Sequence, residues 1–242
     1  MRYRFTLLFV AFGMALLADI ILGSVNIPLS EIWGTLTGHE GNEIYREIIL
    51  NHRIPKALTA ICTGAALSVA GVMMQTLFRN PLADPYILGV SSGASLGVAL
   101  VMMAAAFLPV AFVSSGWALI AAAIIGASIV LVLVVGVSFK VNNAVSLLIV
   151  GIMFGTIAGS IVSVLQNFSN PDAIKLFVMW TFGSLSAVTW QYMQVLLPIA
   201  FIGIAMAFFL HKRLDGLLLG ENYARGLGIP IIQTRLLIVV AT

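Results

Sequence analysis

Side chains that could perform covalent chemistry or bind a metal are few in this sequence, and they lie far apart along the chain. The histidines, His39, His52 and His211, fall outside the apolar segments, and Cys62 is the only cysteine. The sequence contains no glycine-rich phosphate loop of the Walker type, no HExxH and no serine, histidine and aspartate arrangement. We therefore expect no catalytic residue, no metal site and no cofactor bound by this chain.

Charged residues are also scarce. They make up 9% of the 242 positions, against 61% hydrophobic residues, whereas a soluble domain carries about 25% charged residues. Asp19 is the one charged residue inside a predicted span, and because it lies near the span's end we interpret it as a solvated or helix-capping carboxylate. The net charge of +3 comes from scattered basic residues without a continuous stripe, so no nucleic-acid partner is expected.

The apolar segments that must position these residues have the length of membrane spans, since a helix needs about 20 residues to cross the bilayer core. We predict an all-α, polytopic membrane helical bundle in which residues 1–242 form a single transmembrane domain. A seventh span begins near Leu236 and is short, so we interpret the bundle as C-terminally incomplete. The six full spans cover approximately 5–23, 57–78, 87–108, 117–139, 144–165 and 192–210.

The distribution of basic residues predicts a cytoplasmic N-terminus. With that orientation, eight of the 12 basic residues face the cytoplasm: Arg2, Arg4, Arg79, Lys140, Lys212, Arg213, Arg225 and Arg235. The assignment requires that residues 176–188, which are too short to span, form a re-entrant or interfacial segment. The outer loop, residues 24–56, is long enough for a short surface helix.

A shaped turn is predicted between the second and third spans. Pro81 and Pro85 block helix continuation, and they favour extended backbone at the preceding residues, Asn80 and Asp84. The chain should therefore leave one helix and enter the next along a fixed path.

Two spans carry glycines at every fourth position. These are Gly89, Gly93 and Gly97 in the third span and Gly151, Gly155 and Gly159 in the fifth. Such spacing lines one helical face and favours close helix packing in lipid. The alternative is that the fifth-span face flanks a transport pathway, where small residues leave room for a bulky solute.

Residues 211–235 mix leucines with glycines and are predicted to form two short helices joined by a turn. Asp215 is expected to cap the first helix and Glu221 to begin the second, which Gly228 and Pro230 end. Two interpretations remain open: a solvated connector, or a cytoplasmic docking element for a partner protein, because exposed leucines on a short loop need burial.

Several separated motifs carry a family resemblance. The sequence HRIPKALTAICTGAALSVAGVMMQTLFRNPLADPYILGVSSGASLG, together with WTFGSLSAVTW at 180–190 and LLLGENYARGLG, resembles the FecCD-type permeases of bacterial ABC importers. The resemblance implies a ten-span subunit of the bacterial cytoplasmic membrane that imports iron-siderophore, haem or cobalamin chelates. It also implies a second permease subunit, with a homodimer expected, a pair of cytoplasmic ATP-binding cassette ATPases that hold ATP and Mg, and an extracytoplasmic substrate-binding protein.

The same resemblance assigns roles to residues. Arg53 and Lys56 would meet carboxylates on the binding protein, although the family more often has arginine where this chain has Lys56, which keeps the charge but loses the bidentate fork. The span with Gly151, Gly155 and Gly159 would line the pathway. The ATPase would receive a coupling element within the 211–235 loop, namely Asp215, Leu218, Gly220, Glu221, Ala224, Leu227 and Gly228.

Two other classes of function remain as alternatives. A secondary transporter driven by an ion gradient would normally show buried carboxylates or broken helices at the bilayer centre. A non-transporting membrane scaffold would explain the glycine faces but gives no purpose to the 211–235 loop.

Overall fold

The structure, a computed structural model, describes residues 2–23, 25–38, 42–103, 116–138 and 144–242. These residues are predominantly helical and contain no β-strand, which confirms the predicted all-α fold class. The helices are α1 Arg2–Ile21, α2 Leu29–Thr37, α3 Glu43–Ile48, α4 Ile54–Phe78, α5 Val90–Met103, α6 Gly116–Ser138, α7 Ala144–Phe168, α8 Pro171–Thr181, α9 Trp190–Leu218, α10 Glu221–Gly226 and α11 Ile231–Ala241.

Within the described residues, five helical segments are long and apolar enough to cross a membrane, and α5 and α11 are apolar but shorter. Helix α5 has 14 residues, about 21 Å at 1.5 Å per residue. The rest of the predicted third span, residues 104–108, lies outside the described residues. Helix α11 begins at Ile231, five residues before the predicted start at Leu236. The five long segments are Tyr3–Ile21, Glu43–Phe78, Gly116–Val137, Val145–Phe168 and Trp190–Leu218.

The second span is longer than predicted because it continues a helix from the outer loop. Helix α3, a π-helical turn at Ile49–Arg53 and α4 form one run of 36 residues, Glu43–Phe78. Pro55 lacks an N–H, and a proline ring crowds the carbonyl of the residue four positions earlier. The widened turn, in which the Ile54 N–H donates to the Ile49 carbonyl, accommodates the proline without ending the helix. The loop therefore holds two helices, α2 and α3, rather than one.

The chain divides into two compact units. The first comprises residues 1–65 and 184–201 and has a small core of Ile27, Ile32 and Ile49. Two side chains also join its segments: the Trp190 indole donates to the Leu50 carbonyl at 2.9 Å, and the Thr59 hydroxyl contacts the Met193 sulfur at 3.1 Å. The prediction of one functional domain over 1–242 stays a prediction.

The second unit comprises residues 66–183 and 202–242. Its main core joins α4, α6, α7, α9, α10 and α11, and its fully buried members include Met74, Val134, Leu147, Ala224 and Ile238. A second cluster holds α5 to α7 and α8 through Val98, Ala99, Val162 and Phe177. The core therefore extends from the helices predicted to span the membrane to the base of the 211–235 loop.

The predicted turn between α4 and α5 is defined by its own side chains. The Asn80 carboxamide accepts from the Leu82 N–H at 2.9 Å, and the Gln75 amide donates to the Pro81 carbonyl at 3.0 Å. Asp84 is extended, with φ −127° and ψ 165°, and Pro85 begins a 3-10 turn, Pro85–Leu88. These contacts agree with the fixed path expected from the two prolines.

Arg79, at the start of this turn, has a left-handed backbone with φ 49° and is the one non-glycine residue with positive φ in the described chain. Its position ends α4: the Asn80 N–H donates to the Gln75 carbonyl at 3.1 Å, the long bond of a Schellman-type ending. Glycine or asparagine usually occupies such a position, because a side chain there costs roughly 1–2 kcal/mol.

Candidate coupling site

The 211–235 loop is built as an ordered hairpin on the second unit. Helix α9 runs through to Leu218, so Asp215 lies inside a helix and does not cap one, contrary to expectation. Gly220, with φ 112°, makes the sharp bend, and α10 begins at Glu221 as predicted. Gly228, with φ 79°, follows the end of α10 and redirects the chain toward Pro230 and α11.

Helix α10 is held in position by packing against the core of the second unit. Ala224 is fully buried against the core that contains Leu214, Leu217 and Ile231. Gly216 lies under the same hairpin: a Cβ atom added there would come within 2.3 Å of the Ile229 Cδ1. The Ile229 side chain therefore packs against Gly216 where the end of α9 meets the segment between α10 and α11, and a larger residue there would require that side chain to move.

An ion pair ties α10 to the following helix. The Arg235 guanidinium donates to the Glu221 carboxylate at 2.5 Å, and the arginine side chain is 3% exposed against 25% for the glutamate. A hydrogen-bonded pair with one member buried is geometrically specific, and removing one partner is costly. Glu221 therefore has a structural contact besides the partner contact that the resemblance implies.

Several large apolar side chains of the hairpin are exposed. Leu218, Leu219, Tyr223 and Leu227 are 57%, 65%, 55% and 59% exposed, and Asp215 and Gly228 lie on the surface with them. Four large apolar side chains on one short projection form a patch of the kind that marks an interaction site. We call these four residues the hairpin patch.

The turn after α4 lies next to α10 and the bend before it. Arg79 lines an open groove of about 500 Å³ with Leu219, Gly220, Glu221, Asn222 and Tyr223. Its Nη1 lies 3.6 Å from where a Cβ atom of Gly220 would be. The chain between these points passes through α5, α6, α7, α8 and α9, and an even number of these helices must cross the membrane if both points lie on one side. One of the two short helices, α5 and α8, therefore crosses and the other does not. We assign the crossing to α5, with 14 residues, rather than to α8, with 11 residues or about 16 Å of length.

A non-crossing α8 agrees with the prediction that residues 176–188 do not cross the membrane. The helix itself begins earlier than the predicted segment and ends within it. Helix α8 occupies Pro171–Thr181, with the Asn170 carboxamide capping it by accepting from the Ala173 N–H. Residues 182–189 that follow are not helical.

The predicted docking pair for a binding protein lies in the first unit and is already engaged. Arg53 is 6% exposed, and its guanidinium donates to the carbonyls of Ile20, Ile21 and Val25, the last two at 2.8 and 2.5 Å. These carbonyls lie at and just beyond the end of α1, where helix carbonyls lack intrahelical donors. The Arg53 guanidinium therefore already has acceptors within the chain.

Lys56 is more accessible. Its ammonium pairs with the Asp19 carboxylate at 2.6 Å, with the side chains 35% and 31% exposed. Asp19, interpreted from the sequence as a solvated or capping carboxylate, is thus an ion-pair partner. The role of Arg53 and Lys56 in docking stays a prediction.

The glycines of α5 and α7 lie at helix contacts, with one exception. A Cβ on Gly93 would come within 2.6 Å of the Gly126 carbonyl oxygen, and one on Gly97 within 2.0 Å of the Ala122 oxygen. Gly89, with φ 75°, faces Gly151 and Gly155 in the same way, at 2.7 Å from the Gly151 oxygen. Gly159 has nothing within 4 Å of such an atom. Close packing therefore accounts for five of the six predicted glycines, and the pathway role of α7 stays a prediction.

Sequence reasoning missed four contributors: Gly126, Gly216, Arg79 and Arg235. Gly126 has no periodic glycine partner in its own span, so spacing could not reveal it. The role of Arg235 could have been predicted from the sequence. An arginine next to an apolar segment needs a partner of opposite charge, and Glu221 lies nearby in the same short loop. Within the described residues, no group of histidine, cysteine and carboxylate side chains could hold a metal ion.

The helices long and apolar enough to cross a membrane define the chain as an all-α polytopic membrane protein. Residues 8–242 match the FecCD transport family. The chain belongs to that family and is a transport permease of it.

Among its relatives, the hemin transport system permease protein HmuU of Yersinia pestis is 34% identical over 235 residues, 95% of this chain and 69% of that protein. The vitamin B12 import system permease protein BtuC of Klebsiella pneumoniae is 33% identical over 236 residues, 96% of this chain and 67% of that protein. This chain thus spans about two thirds of the length of these relatives.

A solved structure, described as an inward-facing conformation of a metal-chelate type ABC transporter, superposes with a TM-score of 0.77. The superposition covers 100% of this chain and 72% of the other at 24% sequence identity. The two chains therefore share a fold.

Proposed function

We propose that this chain is the membrane-spanning subunit of an ATP-driven importer that carries a metal chelate of the haem, cobalamin or iron-siderophore type into the cytoplasm. The observation that carries the proposal is the hairpin patch, held out from a buried base by Ala224 and the Glu221–Arg235 ion pair. A transporter that received its free energy within its own bilayer-embedded residues would have no use for such a projection.

The partners follow from that role. Two ATP-binding cassette ATPases, which hold ATP and Mg, would receive the hairpins of two permease subunits, in a homodimer, on the cytoplasmic side. The N-terminus of this chain would lie on the same side, in the bacterial cytoplasmic membrane. This chain would perform no catalysis itself, because hydrolysis belongs to the ATPases, and it would bind no nucleic acid.

The mechanism is mechanical. ATP binding would draw the two ATPases together, carry the hairpins with them and rock the helices between outward-open and inward-open arrangements. The bias comes from the different affinity of ATP for the two states. Helix α11 would move with α10, since Arg235 and Glu221 join them at 2.5 Å.

The cargo class rests on the relatives, whose names specify hemin and vitamin B12, and on the scarcity of charge in the spans. A pathway without fixed charges suits a bulky chelate that must pass without being retained. We expect weak affinity of the permease for its cargo, with selectivity in an extracytoplasmic binding protein that docks near Lys56. That docking would require a carboxylate of the binding protein to compete with Asp19 for the ammonium.

The test is uptake into proteoliposomes. The full-length permease is reconstituted with its ATPase and binding protein, and uptake of hemin, cobalamin and a ferric siderophore is measured with and without ATP. We expect ATP-dependent uptake of one of them, and at least a tenfold loss in Leu227→Glu, which places a charge in the hairpin patch.

Leu176→Glu is the matched control, because Leu176 on α8 is also 59% exposed but lies away from the hairpin. It should keep binding of the ATPase. Uptake that needs an ion gradient and no ATP would contradict the proposal, as would ATPase binding by Leu227→Glu equal to that of the parent.

A further inference from the structure

Arg79 is the feature of the molecule that the hairpin and the family assignment leave unexplained. It ends α4 in a left-handed conformation with φ 49°, where glycine or asparagine is usual. Its side chain is exposed, and it lines the groove beside α10. Backbone strain retained at an exposed arginine indicates that the side chain has a use, since glycine would end the helix without strain.

The groove has an unbalanced positive charge. Its other charged lining residue is Glu221, and the Glu221 carboxylate is already held by Arg235 at 2.5 Å. Within the described ranges, the Arg79 guanidinium forms no ion pair and donates no hydrogen bond. The guanidinium lies beside Gly220, with its Nη1 3.6 Å from where a Cβ atom of that glycine would be. The geometry thus presents a fork of donors beside the groove without a carboxylate to receive them.

The groove is continuous with the hairpin patch. Leu219 and Tyr223 belong to both, and they are 65% and 55% exposed. A protein that covers the patch would therefore also cover the mouth of the groove and exclude water from Arg79. Desolvating an unpaired guanidinium is unfavourable, so a partner that binds there needs an acidic side chain at that point.

We propose that Arg79 is a second contact for the ATPase, and that the groove receives a carboxylate side chain of that partner. This inference rests on the proposed function and adds the turn after α4 to the docking footprint. The ATPase would then contact two separate parts of the permease: α10 through apolar side chains and the end of α4 through an ion pair. A push on the hairpin would reach α4 directly as well as through the core.

Two substitutions separate this role from that of a helix terminator. Arg79→Gly removes the guanidinium and suits the left-handed backbone, so the turn should persist. Arg79→Lys keeps the charge but loses the planar fork. The full-length permease is placed in nanodiscs of phosphatidylcholine, and its affinity for the purified ATPase that restores ATP-driven uptake is measured at low and at high salt.

We expect Arg79→Gly to weaken binding about tenfold at low salt, mainly through slower association, and less at high salt, where exposed charges are screened. Arg79→Lys should lose about threefold, because it keeps the attraction but not the bidentate geometry. Arg4→Gly, which removes an exposed arginine remote in sequence from the groove, should bind like the parent.

Equal binding by Arg79→Gly and the parent, while Leu227→Glu still loses binding, would overturn this inference and leave the proposed function intact. If the parent itself does not bind the ATPase, or Leu227→Glu binds normally, the proposed function fails first. A third outcome also overturns the inference: an effect of Arg79→Gly that appears only when phosphatidylglycerol is added would identify the occupant as a lipid headgroup.

Discussion

Individual residues in this protein carry roles that their types alone would not suggest. Arg53, which the family resemblance places at a docking surface, is buried and donates to three carbonyls around the end of α1. An arginine, with several donors on one side chain, can satisfy several helix-terminal carbonyls that lack intrahelical donors.

Arg53→Met should therefore destabilise the protein far more than Lys56→Met. We expect a loss of about 3 kcal/mol for the arginine, since hydrogen bonds from charged groups contribute roughly 1.5–3 kcal/mol each and are not additive. The half-exposed Lys56–Asp19 pair should contribute at most about 1 kcal/mol. Thermal unfolding of the two purified variants in detergent measures the difference, and equal midpoints would show that Arg53 does not hold the end of α1.

The effect of a glycine substitution on stability should likewise depend on whether the added Cβ would meet a neighbouring helix, and not on the glycine spacing in the sequence. A Cβ on Gly126 would lie 2.2 Å from the Gly93 carbonyl oxygen, whereas one on Gly136 in the same helix meets nothing within 4 Å. Gly126→Ala should cost about 1–3 kcal/mol through overpacking. Gly136→Ala should be neutral or stabilising by up to about 1 kcal/mol through helix propensity.

The comparison of these two alanine variants in one helix controls for the effect of alanine itself. Size-exclusion elution after a heating series gives the midpoint for each. Parallel behaviour of the two variants would mean that the close approach of α5 and α6 does not limit stability.

At the scale of elements, the short hairpin depends on contacts with its neighbours more than on its own helix. Helix α10 has six residues, and isolated helices shorter than about 12 residues are marginal in water. Burial of Ala224 and the ion pair from α11 supply what local helix formation cannot. The hairpin is therefore packed as part of the second unit, as the proposed coupling role requires.

This dependence predicts an asymmetric double-mutant cycle at Glu221 and Arg235. Glu221→Ala removes the carboxylate that faces a guanidinium only 3% exposed, at an expected cost of about 2–4 kcal/mol. Arg235→Met leaves a carboxylate that water reaches, and should cost less. The double variant should be more stable than Glu221→Ala alone.

Thermal unfolding of all four proteins closes that cycle. Additive losses, with the double variant least stable, would show that the pair contributes no coupling. Binding of the ATPase to the double variant then indicates whether the ion pair is needed only to hold the hairpin or also for docking.

At the scale of the whole molecule, the sidedness of the loops follows from the proximity of Arg79 to Gly220. With α6, α7 and α9 crossing, that proximity requires one of α5 and α8 to cross and the other not to, and the greater length of α5, 14 residues against 11, assigns the crossing to α5. This assignment places the turn after α4 and the 211–235 loop together, and the start of α8 at the opposite end of α7. Proximity supplies information here that hydropathy does not, because α5 and α8 are both shorter than a standard span.

Cysteine labelling checks this topology. In a Cys62→Ser background, Asp172→Cys should react with an impermeant maleimide in intact cells, whereas Asn222→Cys and Leu82→Cys should react only after permeabilisation. Leu82 and Asp172 are both exposed, so reactivity reports the side of the membrane and not burial. Labelling of Asn222→Cys from outside would invert the proposed orientation and remove the ATPase from the hairpin.

The helical bundle was predictable from sequence because hydrocarbon leaves the backbone almost no alternative to helices of about 20 apolar residues. The turn at Asn80–Pro85 was predictable because proline acts on its immediate neighbours. The start of α10 at Glu221 and the chain reversal at Gly228 were likewise local. The family followed from several motifs in order, and it is confirmed over residues 8–242.

Contacts between distant residues were decided only by the tertiary structure. Arg53 meets α1, Arg235 meets Glu221, and Gly126 meets Gly93 through arrangements in which the chain folds back on itself. Apolar segments specify that a helix is buried in lipid, but they do not specify which face meets which neighbour, because lipid and apolar side chains are equally good surroundings. Close approach of small residues and the pairing of scarce charges make that choice, and both depend on three-dimensional geometry.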